Sequence, residues 1–300
     1  MDQNIKMPGK QFGTKMKKNY ESVKKTFYLA IKYHKKNNNK IALKLYKKIL
    51  KVNRHHFLSI FYLGTLYAQI KKLDLAKSLF YQALKIKPNS GEVHYNLGIV
   101  LQELGEHQKA IKSYQKAIRI NPNDALAYNN IGNNFKATKE YKKAISFYYQ
   151  ALKIKPNSGD MHYNLGIVLQ ELGKHQKAIK SYQKAIRINP NDALAYNNLG
   201  AVFNELGKQK KAMACFKKSI KIKPKNPNAY NGISIVLQIL GQYRKSIDYS
   251  KKALTLRPNS ILAQRLIANV HISQLENFKK AIKESYKAIK IHHKSSNFID

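Results

Sequence analysis

Residues 94–122 read HYNLGIVLQELGEHQKAIKSYQKAIRINP, and this stretch decides the fold. Val93, just ahead of it, with Leu97, Val100, Leu101 and Leu104, recurs at helical spacing. Ala110, Ile111, Tyr114, Ala117 and Ile118 do the same further along. Such spacing gathers apolar side chains on one face, so the stretch reads as two short amphipathic helices. Gly105 falls between them and suits the left-handed residue that closes a helix. Asn121-Pro122-Asn123-Asp124 then ends the second helix and supplies a cap for the next.

Working outward, the same signals return every 34 residues. Pro88, Pro122, Pro156, Pro190, Pro224 and Pro258 are six of the eight prolines. A small residue recurs at Gly64, Gly98, Gly132, Gly166 and Gly200, a second at Ala42, Ala76, Ala110, Ala144, Ala178 and Ala212. A large ring recurs at Tyr46, Phe80, Tyr114, Tyr148, Tyr182 and Phe216. The small residues allow the two helices of one hairpin to approach closely. Units are expected to open near 23, 57, 91, 125, 159, 193, 227 and 261, giving an array over 23–294. A basic N-terminal segment (1–22) and a C-terminal tail (295–300) flank it. A longer repeat overlies the first: residues 81–132 and 149–200 differ at only four of 52 positions. A two-unit block has therefore been duplicated. One such unit cannot bury its apolar stripe alone, so the units must stack into an all-α solenoid.

Composition narrows the class. The chain has 300 residues, 43% of them apolar, which is enough for a substantial core. It holds 56 Lys+Arg against 16 Asp+Glu, a formal charge of +40. Charge of that size favours nucleic acid, acidic lipid or acidic protein partners. Lysine drift in an AT-rich genome produces a similar sum, because Asn, Ile and Tyr are also abundant. The sequence carries no apolar run long enough to span a membrane and no apolar leader. With a single cysteine, Cys215, a cytoplasmic protein is expected.

The residues of 94–122, with Leu97, Gly98, Ala110, Tyr114, Ala117 and Pro122, resemble the tetratricopeptide repeat (TPR) family over residues 23 to about 293. The resemblance implies a right-handed superhelical solenoid of about eight helix-turn-helix repeats. It also implies that first helices line a concave groove, that second helices form the convex back, and that the role is binding proteins or peptides. Departures fall at the ends: Arg54 replaces the proline of unit one, Ser234 and Ser246 take the small positions of unit seven, and unit eight carries an extra residue before Ala281.

That geometry places the charge. In the four cleanest units the first-helix segments (91–104, 125–138, 159–172, 193–206) hold Lys136 against Glu92, Glu103, Asp160, Glu171 and Glu205. The remaining segment of each of these units is net positive. A basic groove threading nucleic acid is thereby disfavoured, and any such binding is expected to be non-specific. The groove instead carries amides and tyrosines. Asn96, Asn130, Asn164 and Asn198 recur every 34 residues, with Tyr95, Asn129, Asn133, Tyr163, Asn197, Asn204 and Asn231 around them. An amide both donates and accepts, so a ladder of amides suits the backbone of an extended peptide. The TPR arm of O-linked N-acetylglucosamine transferases is similar, with an asparagine ladder in the corresponding place.

No catalytic constellation stands out. His94 and His162 occupy places held elsewhere by Tyr128, Tyr196 and Tyr230, and read as packing aromatics. His107 and His175 likewise replace Tyr141 and Tyr243. Cys215, beside Phe216, reads as a buried small residue, and no phosphate loop or hydrolase motif occurs. The expectation is a non-catalytic scaffold without metal or cofactor that binds a protein or peptide ligand in its groove. Two alternatives stay open. The chain is the recognition arm of a glycosyltransferase-like enzyme, since Ala281, Ile282, Tyr286 and Ile289 look uncovered; or its basic convex face docks acidic partners or nucleic acid.

Overall fold

The computed structural model describes residues 11–296, and every regular element among them is helical. The chain divides into two compact units, ending at Pro156 and beginning at Asn157. The first holds α1 (Gln11–Lys35), α2 (Asn39–Val52), α3 (Phe57–Gln69), α4 (Leu73–Ile86), α5 (Gly91–Glu103), α6 (His107–Ile120), α7 (Ala125–Ala137) and α8 (Tyr141–Ile154). The second holds α9 (Gly159–Glu171), α10 (His175–Ile188), α11 (Ala193–Glu205), α12 (Gln209–Ile222), α13 (Pro227–Ile239), α14 (Tyr243–Leu256) and α15 (Ile261–Ser296).

Within each unit, consecutive helices pair into hairpins, and the second helix of each hairpin packs on the first helix of the next. Each unit is thus a stack of TPR-type hairpins. Successive first helices also touch, α3 with α5 in the first unit, α9 with α11, α11 with α13 and α13 with α15 in the second. The core is the ring of each second helix set against the small residue of its partner. Tyr46, Tyr114, Tyr148 and Tyr182 have no exposed surface. A Cβ added at Gly98 would lie 2.6 Å from the Tyr114 ring, closer than carbon atoms tolerate. The glycine seats an aromatic side chain; this is why the helices approach.

The turns repeat as strictly as the core. Asn37, Lys71, Gly105, Lys139, Gly173, Gly207 and Gly241, spaced 34 apart, all have positive φ. At Gly105 the amide of Glu106 returns to the Leu101 carbonyl at 2.8 Å, which closes the helix and reverses the chain. Asp124 and Asp192 cap α7 and α11, their carboxylates accepting from Ala127 and Ala195 at 3.0 Å.

Both ends differ from the expected pattern. Helix α1 starts well ahead of Val23, so part of the segment read as an N-terminal extension is helix; residues 1–10 lie outside the described residues. Unit eight was expected to be a helix pair, but α15 runs unbroken. The position 34 after Gly241 is Leu275, where the left-handed conformation would cost about 1–2 kcal/mol; Lys71 and Lys139 bear that cost at the same place in their units, whereas α15 stays helical. Its Ile282 and Tyr286 are exposed, at 42% and 71%; the side chains of Ala281 and Ile289 and the end of the tail lie outside the described residues. Unit seven replaces its ring altogether. Ser250 stands 34 after Phe216, and the buried hydroxyls of Ser234, Ser246 and Ser250 satisfy one another at 2.7–2.8 Å.

Candidate functional site

The amide-rich surface lies on the first helices of both units. In the first unit it comprises Tyr95 and Asn96 on α5 and Asn129, Asn130 and Asn133 on α7. In the second it comprises Tyr163 and Asn164 on α9, Asn197, Asn198 and Asn204 on α11, and Asn231 on α13. Acidic groups are few there, and the base Lys136 on α7 is half-buried without an ion pair, its pKa lowered by desolvation.

Much of the amide capacity holds the solenoid together. The Asn130 amide donates to the Tyr95 hydroxyl at 3.3 Å, and the Tyr95 ring packs edge-on against Tyr114. The duplicated block repeats the device: Asn198 donates to Tyr163 at 3.2 Å, and the Tyr163 ring packs against Tyr182. Gln102 and Gln170, not singled out in the sequence, accept from the Tyr114 and Tyr182 hydroxyls at 3.4 and 3.0 Å. Each Asn thus ties one first helix to the preceding hairpin. The other hairpins treat the position sixteen residues after the ring differently. After Phe80, which has no hydroxyl, Asn96 turns to its own helix and donates to the Glu92 carbonyl at 2.8 Å. After Tyr46 comes Tyr62, stacked on it at 6.4 Å. After Phe216 comes Gly232, where a Cβ would fall 2.5 Å from the ring.

The remaining expected residues divide by unit. Asn129 is buried, and Asn133 accepts from the Tyr148 hydroxyl at 2.8 Å. Asn164 is half-buried. Asn134, missed in the sequence because no other unit repeats it, is fully buried; its amide group bonds Gln102 at 2.7 Å and His107 at 2.9 Å. In the second unit, Asn197 donates to Asn198 at 3.2 Å, but its own oxygen is buried without a hydrogen-bond partner. The side-chain oxygens of Asn204 and Asn231 are in the same condition.

Of the histidines read as packing residues, His94 and His162 are buried, at 6% and 7% exposed, while His107 and His175 are half-buried. His94 Nε2 donates to the Pro88 carbonyl at 2.9 Å, and burial lowers its pKa. No group of three or more metal-ligating side chains occurs among the described residues. Cys215 is half-buried rather than fully buried, and desolvation pushes its thiol up to about 11, so it stays protonated near neutral pH. No helix among the described residues is long and apolar enough to cross a membrane.

Family models agree with this architecture. One described as a TPR repeat matches residues 132–173 and 169–207, and another, tetratricopeptide repeat, matches 91–124 and 193–226. A third, also tetratricopeptide repeat, matches 60–90 and 227–260. A search of curated protein sequences finds no match. Among solved structures, a tetratricopeptide repeat protein from Parabacteroides merdae aligns with TM-score 0.65 at 18% identity, covering 84% of this chain and 99% of that one. YrrB, described as a TPR protein with an unusual peptide-binding site, aligns with TM-score 0.52 at 25% identity, over 62% of this chain and 96% of its own. MamA aligns with TM-score 0.52 at 29% identity, over 54% and 95%. With matching units from residue 60 to 260 and hairpins stacked as described, the chain belongs to the tetratricopeptide repeat family.

Proposed function

We propose that this protein is a non-catalytic scaffold that binds an extended peptide along its first-helix faces, through asparagine and tyrosine side chains. One observation carries the reading: these faces are amide-rich and nearly free of lysine, in a chain of charge +40. The three asparagine oxygens left buried and unpaired on α11 and α13 are acceptors in search of donors, which a peptide backbone supplies. YrrB, similar over most of its own length, is described as having a peptide-binding site, which supports the same class of ligand.

A second reading is favoured by a cavity of about 780 Å³ between α4 and α6. It is lined by Leu84, Leu97 and Ile120 together with Lys85, Lys112, Lys116 and Arg119, which fits an acidic partner with an apolar anchor.

A library of extended peptides, selected on the whole chain, separates the two. Replacing Asn96, Asn130, Asn164 and Asn198 by Ala is expected to weaken selected peptides by about 0.5–1.5 kcal/mol per lost hydrogen bond. A Tyr95→Phe/Tyr163→Phe protein loosens the same locks but keeps the amides, and is expected to bind normally. Replacing Lys112, Lys116, Lys180 and Lys184 by Ala is expected to alter salt dependence alone. If the lysine variant loses binding while the asparagine variant keeps it, the basic surface is the functional one.

A further inference from the structure

The three unpaired oxygens share a place. Asn197, Asn204 and Asn231 line a cavity of about 240 Å³ where α11, α13 and α15 meet, together with Glu205. Asn231 is only 3% exposed, and its oxygen has no donor. The rest of the wall is Ala201, Phe216, Gly232, Ile235 and Leu262, with one further amide, the exposed Asn228. A single water needs roughly 10–15 Å³ of such space, so the cavity is side-chain sized.

Its origin lies in the broken lock. In the two preceding block copies, a tyrosine and an asparagine fill the step between hairpins, as Tyr95 with Asn130 and Tyr163 with Asn198. At the step from α11 to α13 the corresponding residues are Asn197 and Gly232, and the ring behind them, Phe216, has no hydroxyl. Gly232 supplies no amide, so Asn197 keeps an orphan oxygen and the space stays open. Glu205 adds a carboxylate to the rim; one oxygen accepts from Gln170 at 2.9 Å and the other lies 3.3 Å from His175.

A cavity with one apolar side and several buried acceptors has one natural occupant class. We infer that this cavity is a specificity pocket for a basic side chain, arginine or lysine, of a bound peptide. The aliphatic stem lies against Phe216, Ile235 and Leu262, and the cationic head donates to the Asn204 and Asn231 oxygens with Glu205 nearby. Buried acceptors without donors penalise any occupant that brings none, so an aliphatic residue of equal length is excluded by the same atoms. An acidic side chain would face three carbonyl dipoles and a carboxylate. The inference rests on the first-helix face being the peptide surface.

The test uses the whole chain and four acetylated, amidated pentapeptides, Ala-Ala-Xaa-Ala-Ala, with arginine, lysine, norleucine or glutamate at Xaa. Binding is followed by NMR on the asparagine side-chain amides. Arginine and lysine peptides are expected to bind at least about tenfold tighter than the norleucine peptide, the worth of one charge-assisted hydrogen bond, and to shift the Asn204 and Asn231 signals. Asn204→Leu/Asn231→Leu should abolish that preference, and Asn231→Asp should enlarge it; unchanged melting temperatures exclude misfolding as the cause. If all four peptides bind equally, or the arginine preference survives in the double variant, the pocket assignment is overturned while the groove reading stands. If glutamate is preferred, the pocket assignment fails outright. If none of the four binds, both readings fall.

Discussion

At the scale of single residues, the repeated asparagine is a structural residue as well as a proposed ligand contact. Asn130 and Asn198 lie on the surface proposed for ligand binding, yet their amides already hold Tyr95 and Tyr163. A residue position repeated every 34 places therefore need not have one role; Asn96, one unit before Asn130, bonds its own helix instead. Removing a lock hydroxyl isolates that contribution. Tyr95→Phe and Tyr163→Phe are each expected to lower stability by about 0.5–1.5 kcal/mol. Because the two sites share no partner, the double variant should show the sum, measured as shifts in the urea midpoint.

At the scale of elements, a left-handed residue closes each first helix up to α13, and glycine supplies it without strain. Gly241 sits at φ +70, and α13 stops there. Gly241→Leu is expected to destabilise the chain by about 1–2 kcal/mol through left-handed strain, visible as a lower urea midpoint at an unchanged slope. Lys71 and Lys139 hold the same conformation without being glycine, so the stacking around them overrides local preference. These cases mark how far the sequence is readable. Hairpins, their turns and the seat of each ring follow from spacing, since each rests on contacts inside one 34-residue unit. The single helix α15 was not legible from periodicity, because its apolar spacing survives while the turn residue is lost at Leu275. The Tyr95–Asn130 lock was not legible either, since it joins residues 35 apart on two different hairpins. The asparagines stood out by their recurrence; the orphan oxygens and the cavity at Gly232 needed side-chain positions.

At the scale of the whole molecule, the rings that build the core also couple stability to pH. Tyr46, Tyr114, Tyr148 and Tyr182 have no exposed surface, and burial holds all four phenols protonated well above the usual tyrosine range. In the unfolded chain they ionise near pH 10. Above that pH the unfolded state binds fewer protons than the folded one, so stability is full below about pH 10 and falls as pH rises further. Absorbance at 295 nm should therefore show most of the 20 tyrosines titrating reversibly, and at least four ionising only as helicity is lost. If all 20 ionise in one reversible step with the helices intact, the rings are not packed as described.

The duplicated block has a consequence for how such a chain changes over generations. Residues 81–132 and 149–200 carry the same turns, the same seats and the same Tyr–Asn contact, down to four substitutions. A crossover between the two copies would join α6 to α11 at a junction already present twice, once as α6 with α7 and once as α10 with α11. Loss or gain of 68 residues thus creates no new interface and orphans no ring. Array length is therefore open to adjustment in two-hairpin steps by recombination alone, with no compensating point mutation required at the seam.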